Sequence, residues 1–299
     1  MLTLTEWAKL NPTPLQSGVV EIFSRENPVL ERLQFQNVAG SAFKYNIETA
    51  LPGIAFRDFN QGYTESTGVV NPVTENLTII GGDSDFDVAQ IAMGTGDNDT
   101  RAVHDAMKAK ALTLNWLTTF FDGDSGTNPL EFDGLNTRLT GNQVIEAGTN
   151  GAALDMDMLD VLVDSVNGTP SMLMMNKAMR REVRKLARNS NVLSISRDFF
   201  GREVDAYQGI PIGIVEEDAS GADILGFDEE QGSNNETASI YAVRFGPDAL
   251  HGIQTQPMSV RDLGEIDAKP AYRTRVEWYS SIVIKHPRAA ARLKGVIAS

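Results

Sequence analysis

The stretch Leu51-Pro-Gly-Ile-Ala-Phe-Arg-Asp-Phe-Asn-Gln-Gly-Tyr-Thr-Glu-Ser-Thr-Gly-Val-Val-Asn-Pro-Val-Thr-Glu-Asn-Leu-Thr-Ile-Ile80 governs the reading of the whole chain. Pro52, Gly53, Gly62, Gly68 and Pro72 punctuate it and oppose helix. Its end, from Val73, is a β-favouring run. A short strand over Ala42–Ile47 precedes it, and Phe86–Ala89 is expected to pair nearby as a return strand. From about Glu48 to Gly82 the chain is therefore extended. Compact domains seldom carry loops much beyond about 15 residues, and long ones usually have a task. A two-stranded excursion is barely stable alone in water, so this one needs a partner surface.

Downstream, Asp97-Asn98-Asp99-Thr100 supplies a helix cap and first-turn acids. Val103, Met107, Leu114, Leu117 and Phe121 follow at near-heptad spacing, with Lys110 in the missing place. They predict a helix of roughly 35 Å at about 1.5 Å per residue. Residues 153–166 predict a second helix. Ser171–Met175 reads as a buried strand, and Asn176 caps a third helix, Lys177–Arg188, with Met179, Val183 and Leu186 inward. Strands are expected at Ile210–Val215, Ser239–Phe245, Ser259–Leu263 and Tyr272–Ile284, and a helical turn or two from Pro287 to Leu293. Upstream, residues 1–37 carry Leu15, Val19, Ile22 and Phe23 at helical spacing but are cut by Pro12, Pro14 and Pro28. Such a lead has little to bury within itself and is expected to pack on something else, such as another copy. Interspersed helices and strands make the class α+β.

The chain has 299 residues, with 40 Asp+Glu against 26 Lys+Arg and a formal charge of −14. That balance opposes bulk nucleic-acid binding. With no cysteine, disulfides, thiolate metal sites and cysteine nucleophiles are excluded. No run of 18 uncharged apolar residues exists, so no membrane partner is expected. The start, Met1–Glu6, shows no basic segment followed by an apolar run, and no secretory signal is expected. Charge is segregated: Gly213–Ala238 holds eight acids and no base, Lys177–Arg188 six bases and one acid, and Lys269–Ser299 seven bases and one acid. Opposite patches of this kind fix register between copies.

Site-like motifs fail on their chemistry. Gly123-Asp124-Ser125-Gly126 resembles the surroundings of a nucleophilic serine but lacks an oriented histidine base, and a turn after a helix needs these residue types anyway. Read as a calcium loop, Asp122-x-Asp124 puts Thr127 at the glycine position and Asp133 at the twelfth. Met93-Gly94-Thr95-Gly96 lacks the Lys-Ser/Thr of a phosphate cradle, and Asp97 and Asp99 would repel phosphate. His104, His251 and His286 have no metal-ligand spacing. The basic helix either contacts nucleic acid, pairs with an acidic face of a neighbour, or is a solvated face. No catalytic residue, cofactor site or metal site is therefore expected.

The order of parts resembles that of a tailed-phage major capsid protein with the Hong Kong 97 fold. Leu51–Arg57 resembles the start of the family's extended loop, and Phe132-Asp-Gly-Leu135 the motif after its spine helix. Thr169–Asn176 and the basic helix resemble its central strand and helix. Gln208-Gly-Ile-Pro-Ile212 resembles its Gly-x-Pro strand, and Arg273–Ile284 with Pro287-Arg-Ala-Ala290 its closing strand and proline turn. The resemblance implies an N-terminal arm at 1–37 and an extended loop at 48–85. It places a peripheral domain with the long spine helix at 38–47, 86–145 and 240–285, an axial domain at 146–239, and a C-terminal tail at 286–299. It further implies hexamers and pentamers in an icosahedral shell around double-stranded DNA, bound without sequence specificity, in a virion assembled in the host cytoplasm. Portal and decoration proteins are implied partners.

Some relatives staple subunits through an extended-loop lysine and a peripheral asparagine. Here no lysine lies between Lys44 and Lys108 and no asparagine follows Asn235, so non-covalent assembly is expected. The arm begins almost at Met1, so a separate scaffolding protein, or maturation without loss of this end, is expected. Phe56, Arg57, Asp58, Phe59 and Tyr63 are the expected subunit-interface residues of the loop. An encapsulin-like cargo compartment is the alternative on the same fold, and a cytosolic acidic enzyme the alternative from another class.

Overall fold

The computed structural model describes residues 27–89, 100–190, 193–197 and 203–298. The expected N-terminal helical stripe at Leu15–Phe23, the Met93–Gly96 segment and the Asp97–Asp99 cap lie outside them.

The chain opens with a short helix α1 (Pro28–Arg32), whose cap Asn27 accepts hydrogen bonds from the Val29 and Leu30 amides, with proline at the first position. Strand β1 (Phe35–Asn37) follows. Val29, Leu30, Leu33 and Phe35 are all buried, and β1 pairs in parallel with Leu250–Gln254. Residues 28–37 thus belong to this chain's own core, against the expectation that the whole arm packs elsewhere. Four apolar side chains close together in sequence are enough to seat even a one-turn helix.

Strands β2 (Ala42–Ala50) and β3 (Val69–Asn76) form a separate two-stranded ribbon. After Leu77, β4 (Thr78–Asp87) leaves the ribbon and enters the body. The expected return strand Phe86–Ala89 is not a separate element: Phe86 and Asp87 are the end of β4. Helix α2 (Thr100–Asp122) is the long one. Its buried stripe is Ala109, Leu112, Trp116, Leu117, Phe120 and Phe121, whereas Met107, expected inward, is 62% exposed. The heptad misleads because Met107 faces away from the enclosed side, on which Asp105, Ala109 and then the bulky aromatics take the inward positions.

Helix α3 (Leu135–Arg138) folds back on the end of α2. The Gly134 amide donates to the Gly123 carbonyl (2.8 Å). A Cβ at Gly134 would lie 2.6 Å from the carbonyl oxygens of both Thr119 and Phe121, so only glycine fits there. Phe132 and Leu135 beside it are buried. The expected Phe-Asp-Gly-Leu motif is therefore the lock on the helix terminus.

Then come β5 (Val144–Glu146), β6 (Ala152–Ala153), α4 (Met156–Ser165), β7 (Met172–Met175), α5 (Lys177–Ser190), β8 (Leu193–Arg197), β9 (Glu203–Tyr207), β10 (Ile210–Ile214), β11 (Glu229–Gln231) and β12 (Asn234–Val243). Last are β13 (Leu250–Gln254), β14 (Ser259–Glu265), β15 (Ala271–Ile284) and β16 (Ala290–Ile297). Beyond the ribbon there are two sheets. In the five-stranded one β15 is the axis: β4 pairs with it antiparallel from Asp87↔Ala271 to Thr78↔Ser280. Both β14 and β13 also pair antiparallel with β15, at Tyr272–Glu277 and at Ser280–Ile284. The nine-stranded sheet runs β5-β16-β12-β7-β10-β9-β8, with β6 on β16 and β11 on β12.

The tail is a correction. Instead of helical turns, Pro287–Ala289 makes one 3-10 turn and residues 290–297 form β16, buried between β5 and β12. The alanines that favour helix locally are overruled by the backbone pairing that β5 and β12 offer on either side. The expected boundary at 239/240 also falls inside β12, which lies wholly in the nine-stranded sheet.

Two hydrophobic cores share that sheet. Met172, Met174, Tyr241, Val243 and Ala290 face α1, α2 and the five-stranded sheet. Leu173, Met175, Ile240, Ala242, Ala291 and Leu293 face α4 and α5. Because both faces are covered, Met172–Met175 reads as an uninterrupted apolar run rather than an alternation. In the first core Trp116 and Trp278 lie 5.6 Å apart with Phe35 5.0 Å from Trp278. Their indoles donate to Ser280 Oγ and Gln254 Oε1.

Candidate subunit-contact site

The ribbon carries residues 51–68 at its far end. Ile54, Phe56 and Phe59 there are more than nine-tenths exposed, and Leu51 and Tyr63 are largely so. Apolar side chains gathered in solvent mark a contact surface when they are contiguous. The backbone beneath them is nonetheless ordered by local bonds. The Asp58 carboxylate accepts from the Phe59 amide (2.7 Å), and the Asp58 carbonyl from the Gln61 amide (3.2 Å). Asn60 takes a positive φ of 63°, which asparagine tolerates. Arg57 donates to the Gln61 carbonyl and its guanidinium lies 5.3 Å from the Tyr63 ring centroid. Across the tip the Gly53 amide donates to Ser66 Oγ (2.7 Å). The five expected residues, Phe56, Arg57, Asp58, Phe59 and Tyr63, are thus on one presented tip. Sequence reading missed Leu51 and Ile54, whose only signal was an apolar residue in a proline-glycine segment.

At the other end the ribbon is clamped to the body. Arg138 on α3 donates to both carboxylate oxygens of Glu75 on β3, at 2.5 and 2.7 Å. The Tyr45 hydroxyl on β2 lies 3.3 Å from the same carboxylate and from the Ile284 carbonyl. Burial, reinforced by the Glu75 charge, pushes the Tyr45 hydroxyl pKa up to about 12. Next to it, Asp83 and Asp85 on β4 pair with Arg275 and Arg273 on β15 through two hydrogen bonds each. Those bonds hold both carboxyls below the ordinary range.

The motifs set aside as sites resolve into structure. Asp124 closes a turn, accepting from the Gly126 amide and Thr127 Oγ1. The Ser125 amide donates to Asp133. His104 packs on Phe86, His286 accepts from the Arg288 amide, and His251 is buried. Among the described residues no group of three or more acidic or histidine side chains is placed to hold a metal ion, and no helix is long and apolar enough to cross a membrane. On the basic helix α5, Lys177 pairs with Glu216 (2.8 Å) and Arg184 with Asp205 (2.7 Å).

Residues 12–157 match the family model of the major capsid protein GP7. No curated protein matches the chain in sequence. Its fold is similar to that of the SrpI encapsulin of Synechococcus elongatus PCC 7942, with TM-score 0.66, 17% identity and 89% and 86% of the two chains covered. It is equally similar to the capsid of the native GTA particle, with TM-score 0.66, 16% identity and 90% of each chain covered. The structure from Mycobacterium phage Bobi matches with TM-score 0.62, 13% identity and 89% of each chain covered. The partial family match and the fold point the same way: the chain is built on the Hong Kong 97 fold, and its first half is similar to the major capsid protein GP7.

Proposed function

We propose that many copies of this chain close an icosahedral shell of hexamers and pentamers around phage double-stranded DNA, held by non-covalent contacts alone. The observation that carries the reading is the ribbon: an apolar tip in full solvent, on a stalk clamped at its root by Arg138 and Glu75. Such a tip has no task in an isolated subunit and fits a neighbour's surface. Phe56, Phe59 and Tyr63 anchor there, with Arg57 and Asp58 available for ion pairs. Each contact is modest, and shared area and multivalency make the shell stable. The ribbon corresponds to the extended loop and the five-stranded sheet with α2 to the peripheral domain. The axial domain corresponds to the nine-stranded sheet with α4 and α5.

The absence of a loop lysine supports non-covalent assembly. A separate scaffolding protein, a portal and a decoration protein complete the partner set, and assembly takes place in the host cytoplasm. A charge of −14 suits a container from which DNA must leave, since tight phosphate binding would oppose release. The role is mechanical, with no catalytic step.

Electron microscopy of the purified protein tests the reading: closed shells are expected, and small oligomers without competence to assemble would overturn it. Denaturing electrophoresis of particles should give one band at the monomer mass, and a ladder of multimers would contradict non-covalent closure. The similarity to an encapsulin supports a second reading, a compartment filled with protein cargo. Particles that contain an enzyme and no genome would establish it.

A further inference from the structure

Helix α5 carries more positive charge than its own subunit neutralises, and the surplus lies seven residues apart along one face. Its first residue, Lys177, is held by Glu216. Arg184 and, at 4.0 Å, Arg180 reach Asp205, and Lys185 pairs with Glu182. Arg181 and Arg188 are exposed and have no ion-pair partner among the described residues. They lie about 6 Å and about 16 Å along the axis from Lys177, away from the acidic segment that Lys177 touches.

The acidic segment has the complementary surplus. Glu217 and Asp223 face each other across an isolated antiparallel bridge, and both are exposed. Like charges directly opposite on paired strands repel. Neither has an ion-pair partner among the described residues, and the neighbouring Lys177 is engaged by Glu216. One chain therefore presents two unpaired cations at one place and two mutually repelling carboxylates at another. Surfaces that complement each other but are not the same patch join copies head to tail, and such contacts make a ring when the rotation between copies closes.

Resting on the shell reading, we propose that Arg181 and Arg188 of one copy dock on Glu217 and Asp223 of the next around a capsomer ring. The contact sets orientation and register more than adhesion, since exposed pairs are screened and bind weakly. Packaged DNA is the poorer occupant for the helix. Its cations stand beside carboxylates rather than in a continuous basic face, and no aromatic side chains are interleaved for base stacking.

Charge reversal tests this. Shell yield is measured at rising sodium chloride for the parent, Arg181→Glu/Arg188→Glu, Glu217→Lys/Asp223→Lys, and all four changes together. Circular dichroism melts of each subunit serve as the fold control. Each reversed pair should lower low-salt yield at least fivefold, and the four-fold variant should return to within about twofold of the parent. If a glutamate variant melts early, Arg181→Gln/Arg188→Gln replaces it and should lower yield and flatten the salt dependence. Unchanged yields, or no recovery in the four-fold variant, would overturn the pairing. Loss of packaged or bound duplex with unchanged shell yield would overturn it in favour of DNA. If the parent itself forms no shells, the shell reading fails and this contact with it. If only the variants behave as the parent does, the shell reading stands and the contact alone is wrong.

Discussion

Arg138 grips Glu75 with two parallel hydrogen bonds, 2.5 and 2.7 Å long, 63 residues apart in sequence and both only 13% exposed. The pair joins α3, in the body, to the last residues of the ribbon strand β3. Removing one member leaves the other as a half-buried charge without its partner, at a cost of about 1–3 kcal/mol. Glu75→Ala and Arg138→Ala should therefore each lower stability. Amides of residues 69–76 should exchange faster in both, with the protection of the nine-stranded sheet reduced less. Equal exchange in variant and parent would show that the ribbon is held elsewhere.

The tip behaves oppositely. Phe56→Ala, Phe59→Ala and Arg57→Ala remove side chains that touch little or nothing of their own subunit beyond the local Gln61 and Tyr63 contacts. Each should change monomer stability by no more than about 0.5 kcal/mol while impairing assembly. Urea unfolding and shell yield, measured on the same preparation, check both halves. Normal yield from Phe56→Ala and Arg57→Ala together would refute the tip as an anchor.

Phe35 lies against Trp278 in the first core, and its ring occupies the space that a Cβ on Gly252 would need. Phe35→Ala should cost about 3–5 kcal/mol, as for other fully packed aromatics. Gly252→Ala should destabilise by overpacking, by about 1–3 kcal/mol. Denaturant midpoints with an unchanged slope are the readout. A near-neutral Phe35→Ala would return residues 28–37 to the status of a loose arm.

Two groups give opposite responses to acid. Asp122, at the end of α2, keeps solvent contact but is pushed up to about 6 by desolvation among its neighbours, despite the Asn136 amide at 3.4 Å. Glu229, Asp228 and Arg292 are the charges around it. Its unfolded value is near 3.9, so the folded state takes up the proton first and stability rises as pH falls from above 6 towards 4. Asp122→Asn should thus stabilise above pH 6, by an amount that solvent screening at this exposed carboxylate keeps small, and lose that advantage near pH 4. Burial, with Lys285 adding to it, lowers His251 to about 4. There the unfolded state takes the proton first, so the stability of neutral His251 is complete above pH 6.5 and is lost as pH falls towards 4. The difference in unfolding free energy between His251→Leu and the parent should move the other way over the same window. Parallel difference curves for the two variants would contradict this assignment.

Much of the architecture was legible because its signals are local. Asn176 caps α5 through the Met179 amide, as its position before Lys177 implies. Proline and glycine between residues 51 and 72 announced an extended excursion. The exposure of Phe56, Phe59 and Tyr63 was legible for the same reason, since they are apolar in a segment with little of its own chain to cover it. What escaped depends on distant partners. Met107 and Trp116 look alike to a heptad template, and only the packing of distant elements on one face of α2 separates them. Ala290 and Ala291 favour helix until β5 and β12 offer a strand slot. Glu75 and Arg138 carry no mutual signal across 63 residues, so the clamp at the ribbon's root had none to read.

The ladder between β4 and β15 has a mechanical consequence. A single residue, Leu77, separates the ribbon strand β3 from β4, and β4 is then held to β15 from Thr78 to Asp87. Tension that a neighbour applies to the ribbon passes through Leu77 into the end of β4. When that load runs along the strand, it is carried in shear by the whole ladder at once rather than peeled bond by bond. The Asp83–Arg275 and Asp85–Arg273 forks act as rivets beside the same ladder. A shell strained by its contents would then pass force into the body of each subunit through its strongest seam.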